Sequence, residues 1–379
     1  RIKNVQDKLE QQNLDALLIT SPYNLRYVSN FTGTTGLSVI TKDKAFFVTD
    51  FRYMEQAADQ AKGFEIVQNF GPILDEVRDI IVDEKIEKIG FEADHVTYTE
   101  FTDMEKLFQA ALIPVTGLVE ELRLVKEKEE VDIIREAIRI TEDAYRHILD
   151  FVKPGMKEIE VSNELERFMK DKGATSVSFD TIVASGTRSA MPHGVASDKV
   201  IEDGDMITID FGCYYKGYVS DMTRTFAIGD PGEELKEIYQ IVSDAHKKAI
   251  AAVKPGMTGA EVDAVARDYI KEHGYEDKFG HGTGHGIGLE IHEGPSVSAR
   301  NDKPLVPGNV ITVEPGIYVA GLGGVRIEND ILVTEDGYED LRYRAYTDLQ
   351  PIKDGFEYGT EVAKDTGRQI KEASNEVKD

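Results

Sequence analysis

Cysteine, positive charge and long apolar runs are all scarce in this chain, and each shortage excludes something. The single cysteine, Cys213, cannot form an internal disulfide, which indicates a reducing, cytoplasmic compartment. No apolar run approaches the ~20 residues of a membrane span and no signal-peptide pattern opens the chain, so no membrane partner is expected. Lysine and arginine number 44 against 70 aspartates and glutamates, a formal charge of −26. Nucleic acid would be repelled overall, and no basic, aromatic-rich stretch offsets the deficit. At 379 residues the chain is long enough for two domains and a sizeable core.

What is present is an oxygen-rich set of donors in five short motifs. They are Asp210 in ITIDFG, Asp221 in VSDMTRTF, His285 in HGTGHGIG, Glu314 in TVEPGIY and Glu328 in VRIEND. Carboxylates with one imidazole and no thiolate suit two divalent ions of the manganese, cobalt or zinc kind better than a structural zinc. Two close ions bridged by carboxylates can hold and ionise a water for hydrolysis. Three further histidines, His193, His281 and His292, fall in the same region.

An internal repeat organises these motifs. Residues 152–173 (VKPGMKEIEVSNELERFMKDKG) recur at 253–274 as VKPGMTGAEVDAVARDYIKEHG, an offset of 101 residues. DGDMITIDFG then matches PGNVITVEPG, which sets Asp210 opposite Glu314, while MPHGV around His193 matches EIHEG around His292. Two half-domains of one ancestry would pack about a pseudo-twofold axis, and their equivalent strand ends would converge where a two-metal site needs them.

The first 120 or so residues alternate helical and strand patterns and read as a mixed α/β domain. A boundary is expected near 121–126, followed by a long helix that ends before Pro154. The segment ITIDFGCYYKGYVSDMTRTFAIG has the β-branched and aromatic content of antiparallel sheet, with a turn at Lys216-Gly217. That turn would set Asp210 and Asp221 almost opposite one another, and facing carboxylates repel unless a cation lies between them. In HGTGHGIGLEIHE the glycines at 282, 284, 286 and 288 let backbone pass close to a ligand or another segment. The spacing does not fit a dinucleotide loop, and the glycines between His281 and His285 argue against a zincin helix.

The order DFG, SDMTRTF, HGTGHG, HE, EPGIY and VRIEND resembles the metallopeptidases of the pita-bread fold, specifically the Xaa-Pro peptidases (aminopeptidase P and prolidase). The resemblance covers about 125–340 and reaches the N-terminal domain through FTGTTGLSVI and VTDFRY. It implies an α+β protein: a small α/β domain over 1–123 and a duplicated pita-bread domain over 124–345. The polar residues 346–379 depart from the family's short apolar ending and are expected to form an extension of their own. By the same resemblance Asp210, Asp221, His285, Glu314 and Glu328 bind two metals, manganese first and cobalt or zinc otherwise. The residues matching Asp221 and Glu328 touch both ions, and His193, His281, His292 and Arg326 line the substrate site. A homodimer is also implied.

Within the fold the branches separate. Methionine aminopeptidases lack an arginine two residues before the last glutamate, whereas VRIEND supplies Arg326. Creatinase-like members lose metal ligands, and none is missing here. The expected activity is therefore an exopeptidase that hydrolyses the N-terminal Xaa-Pro bond. An Xaa-Pro dipeptidase is the alternative, and a non-catalytic peptide-binding relative is a more distant one. Glu314 is expected to act as general base, His193 and His292 to steady the carbonyl oxygen, and Arg326 to orient Glu328 or another carboxylate.

Overall fold

A computed structural model describes residues 1–342, so the extension expected over 346–379 lies outside the described residues. The chain divides into two compact units, Arg1–Arg123 and a second beginning at Leu124. Among the described residues no helix is long and apolar enough to cross a membrane.

The first unit is a six-stranded mixed sheet with helices packed on it. Its central strand, Ala16–Ile19, is buried throughout, pairing antiparallel with Leu37–Thr41 and parallel with Lys88–Glu92. Helix Ile2–Gln11 buries Val5 and Leu9, four residues apart, and helix Ile73–Asp83 buries Val77, Ile80 and Ile81 at the same spacing. Strand Ala45–Thr49 ends there because Asp50 accepts a hydrogen bond from the Arg52 N–H and turns the chain.

The second unit repeats one sequence of elements. In its first half come α1 (Lys128–Phe151), α2 (Glu158–Asp171), β1 (Ile182–Ser185), β2 (Met206–Phe211) and β3 (Met222–Ala227). In its second half come α3 (Glu233–Ala252), α4 (Gly259–Glu272), β4 (Gly284–Gly286), β5 (Val310–Val313) and β6 (Asn329–Val333). The strands β3-β2-β1 form one antiparallel sheet, and β4-β5-β6 form the core of another in the corresponding order. The duplication in sequence is thus a duplication of architecture.

Each half buries its own core. Ile140, Ile148, Val161 and Leu165 from α1 and α2 pack under the first sheet with Ile207 and Phe211. Val242, Val262, Ala266 and Ile270 from α3 and α4 pack under the second with Ile311 and Val313. Each such Ile, Leu or Val contributes roughly 1.5–3 kcal/mol through the water it sheds.

The halves join where β3 meets the chain just before β6. Glu328 N–H donates to the Thr223 carbonyl at 3.1 Å, and the Thr225 hydroxyl donates to the Arg326 carbonyl at 2.8 Å. That seam places the carboxylate-bearing ends of both sheets side by side.

The hairpin holds one difference from the spacing argument. Lys216 and Gly217 do form its turn, both at positive φ (46° and 84°), as a two-residue loop twisted to match its strands requires. The short arms 213–215 and 218–219, however, leave the main sheet, so Thr223 rather than Asp221 lies opposite Asp210. Gly212 makes the departure possible, since a Cβ there would lie 1.9 Å from the Ser220 carbonyl oxygen.

Candidate active site

Five side chains from five separate stretches converge on one buried cluster. Asp210 ends β2, Asp221 precedes β3, His285 lies in β4, Glu314 follows β5 and Glu328 precedes β6. One donor atom each of Asp221, His285 and Glu328 lies within 4.8 Å of the other two. The His285 Nε2 is 3.2 Å from Glu314 Oε1 and 3.4 Å from Asp221 Oδ2. Its Nδ1 lies 2.9 Å from the Gly286 carbonyl, which can only accept. Nδ1 therefore carries a proton, and Nε2 is the nitrogen turned to the carboxylates.

Glycine makes this crowding possible. A Cβ on Gly284 would sit 1.9 Å from the Thr312 carbonyl oxygen, and one on Gly286 2.0 Å from the Gly294 carbonyl oxygen. With no side chain at either position, β4 slides between its neighbours and brings His285 to Glu314.

The electrostatics need a cation. Asp210, Asp221 and Glu328 are at most 8% exposed. Burial, reinforced by neighbouring carboxylates, holds Asp221 and Glu328 well above the usual carboxylate range. Burial also raises Asp210, though the Arg326 guanidinium opposes it with a 2.9 Å ion pair. For Glu314 burial pushes upward, but the hydrogen bond and charge of His285 outweigh it and leave the carboxyl below its ordinary value. The same contact outweighs burial on His285 and raises it to about 9.

The oxygens left over are the most informative. Asp210 Oδ1, Asp221 Oδ1 and Glu328 Oε1 are buried and accept no hydrogen bond among the described residues. The other oxygens of Glu328 and Asp210 are engaged: Thr223 donates to Glu328 Oε2 at 2.6 Å and Arg326 donates to Asp210 Oδ2. A buried carboxylate oxygen without a partner is costly, and three of them on carboxylates that share one buried cluster with an imidazole fit divalent cations.

The cluster opens into a cavity of about 390 Å³. Its walls include every histidine singled out from the sequence, His193, His281, His285 and His292, together with Arg326. His285 and His292 lie with ring centroids 4.4 Å apart. Phe179, Ile182, Pro192, Val195 and Ile291 supply an apolar wall, the last three from within MPHGV and EIHEG.

Sequence reasoning also missed Tyr318. Its hydroxyl accepts from Arg326 at 2.9 Å and lies 2.7 Å from His281 Nε2. Arginine only donates, so the tyrosine proton goes to Nε2 and His281 keeps its own proton on Nδ1, which faces the Gly282 carbonyl at 2.7 Å. This neutral tautomer agrees with burial lowering the His281 pKa. Arg326 therefore supports Asp210 and Tyr318, and Glu328 is held instead by Thr223. The residue was in view within EPGIY, but a neutral phenol carries no charge pattern to distinguish it.

Comparison with known proteins places the chain in a family. Residues 132–335 match metallopeptidase family M24, and residues 1–125 match the Creatinase/Prolidase N-terminal domain. The solved Xaa-Pro dipeptidase from Bacillus anthracis is 53% identical, with a TM-score of 0.90 over 91% of this chain and 98% of that one. The X-Pro aminopeptidase from Thermotoga maritima MSB8 is 41% identical, with a TM-score of 0.85 over 90% and 99%. The Xaa-Pro dipeptidase of Pyrococcus furiosus is 41% identical over 347 residues, 90% of this chain and 97% of its own. The chain belongs to metallopeptidase family M24. It is a hydrolase of the pita-bread fold, from a family that works with divalent metal ions.

Proposed function

We propose that the chain is an Xaa-Pro dipeptidase that uses two divalent ions, manganese first and cobalt or zinc otherwise. The observation that carries this reading is the unpartnered buried oxygens of Asp210 and Asp221, which line a cavity with four histidines, and that of Glu328, grouped with Asp221 and His285. Asp210, Asp221, His285, Glu314 and Glu328 would hold the ions, which when bound polarise a carbonyl and lower the pKa of water. The names of the Bacillus anthracis and Pyrococcus furiosus relatives favour the dipeptidase over the aminopeptidase expected at first. The Thermotoga maritima relative keeps the aminopeptidase as the second reading.

The residues divide the work. Glu314, ionised at neutral pH by its contact with His285, accepts a proton from the attacking water. It passes that proton to the departing proline nitrogen, a basic secondary amine. His193 and His292 face the cavity and donate to the carbonyl oxygen as charge develops on it. An Xaa-Pro bond has no N–H to satisfy. The apolar wall of Phe179, Ile182 and Ile291 can therefore accept the pyrrolidine ring without an unpaired donor.

The test is a panel of Met-Pro, Met-Pro-Ala, Met-Ala and acetyl-Met-Pro at equal concentration with Mn²⁺. Met-Pro is expected to be cleaved fastest and Met-Ala and the acetylated peptide hardly at all. Met-Pro-Ala cleaved as fast as Met-Pro would move the chain to the aminopeptidase reading, and Met-Ala cleaved as fast would end proline specificity.

A further inference from the structure

The repeated VKPGM segments differ at one telling position. Glu158 in the first copy corresponds to Gly259 in the second, at the offset of 101 residues. In the second half the absence of a side chain matters, because a Cβ on Gly259 would lie 2.2 Å from the Ser296 carbonyl oxygen. In the first half the carboxylate itself takes up the contact.

Glu158 opens α2 and is fully buried. Its Oε2 accepts from the Ser185 N–H at 2.8 Å and the Ser185 hydroxyl at 2.7 Å. Its Oε1 accepts from the Ser197 N–H at 3.1 Å, the Ser197 hydroxyl at 2.6 Å and the Arg188 guanidinium. One carboxylate thus ties both ends of the 185–197 segment together. Arg188 adds a cross-tie to the Val195 carbonyl at 3.0 Å, and the Ile159 N–H of α2 donates to the Ser197 carbonyl at 3.0 Å.

His193 lies inside this closed segment. Its side chain is exposed, lines the cavity and makes no hydrogen bond among the described residues, unlike His281 and His285. Its position is therefore set by the path of its backbone, and that path is closed by Glu158. We propose that Glu158 is a positioning residue for the active site, holding the 185–197 segment so that His193 projects into the substrate cavity. The inference rests on the proposed role of His193 toward substrate.

Loss of the charge should loosen the segment without touching the carboxylate cluster. Glu158→Gln keeps the shape but turns an amide N–H₂ toward groups that donate. Ser197→Ala removes one donor and serves as a milder variant should Glu158→Gln fold poorly. Three readouts are taken on metal-loaded protein: amide hydrogen exchange, kcat and KM on Met-Pro, and metal content.

Exchange is expected to rise across 186–196 and stay unchanged across 281–293. With metal content unchanged, kcat should fall about 10- to 100-fold, as misplacement of a reacting group by about 1 Å does. In a His193→Ala background the same substitution should cost almost nothing further, because the histidine it positions is gone. Unchanged exchange across 186–196 would overturn the proposal, as would an equal loss of kcat in both backgrounds. If His193→Ala alone leaves kcat unaltered, the proposed role of His193 fails and takes this inference with it. Raised exchange in Glu158→Gln would then mark that failure as one of chemistry and not of the tie.

Discussion

Asp221 and Glu328 each present one buried oxygen that accepts no hydrogen bond among the described residues, and that imbalance governs how single substitutions should behave. Asp221→Asn and Glu328→Gln remove the charge proposed to hold the ions. Each should lose metal and at least about 100-fold in activity, beyond what loss of an outer partner usually costs. In metal-free protein the same changes relieve repulsion, so Asp221→Asn without metal should melt above the metal-free parent. His193→Ala should keep its metal and lose turnover, and metal analysis separates the two behaviours. The pH dependence follows from the same groups. Asp221 and Glu328 lie above their ordinary values of 3.8 and 4.5, so the fold binds more protons there than the unfolded chain does. The stability this gives is present at low pH and lost as pH rises through the folded values. His285, raised from 6.5 to about 9, contributes below 6.5 and loses that contribution as pH climbs past about 9. Both trends erode metal-free stability with rising pH. In chelator the melting temperature should therefore be lower at about pH 8 than at about pH 6. Added Mn²⁺ should raise it more at the higher pH, and a metal-free melting temperature that climbs with pH would contradict the assignment.

Strand β4 depends on having no side chains at alternate positions, which makes it vulnerable to a change that removes no chemical group. Gly284→Ala would drive a methyl to 1.9 Å from the Thr312 carbonyl oxygen, backbone that cannot yield cheaply. The expected cost is about 1–3 kcal/mol of stability, together with weaker metal binding as His285 leaves Glu314. Thermal melts and metal titration on Gly284→Ala check both, and parental values in each would mean that β4 is not confined as described. The glycine pattern was legible in the sequence because glycines at alternate positions mark a close backbone approach. The pairing of Asp210 was not. Counting outward from Lys216-Gly217 treats the hairpin as one continuous ladder, whereas Gly212 lets the arms leave the sheet and shifts Thr223 opposite Asp210. Glu158 was equally hidden, since its partners Ser185 and Ser197 lie 27 and 39 residues away and nothing local marks a carboxylate that acts over such a span.

The duplication ties these details together. Two copies of a helix–helix–three-strand unit set equivalent strand ends against one another, so Asp210 and Glu314 enter the site from matching places. That much could be read from the repeat alone, whereas Asp221, His285 and Glu328 were picked out by their own motifs and by the family resemblance. The apolar wall around Phe179 and Ile291 was not, since such residues look the same in a core and in a cavity. The central claim is that the buried carboxylates exist to hold two divalent ions that the reaction requires. The most direct measurement strips the protein with chelator, titrates Mn²⁺ back, and records bound metal per chain alongside Met-Pro hydrolysis. Activity should vanish in the stripped protein and return as two ions bind per chain. Undiminished hydrolysis by protein shown to be free of metal would contradict the account.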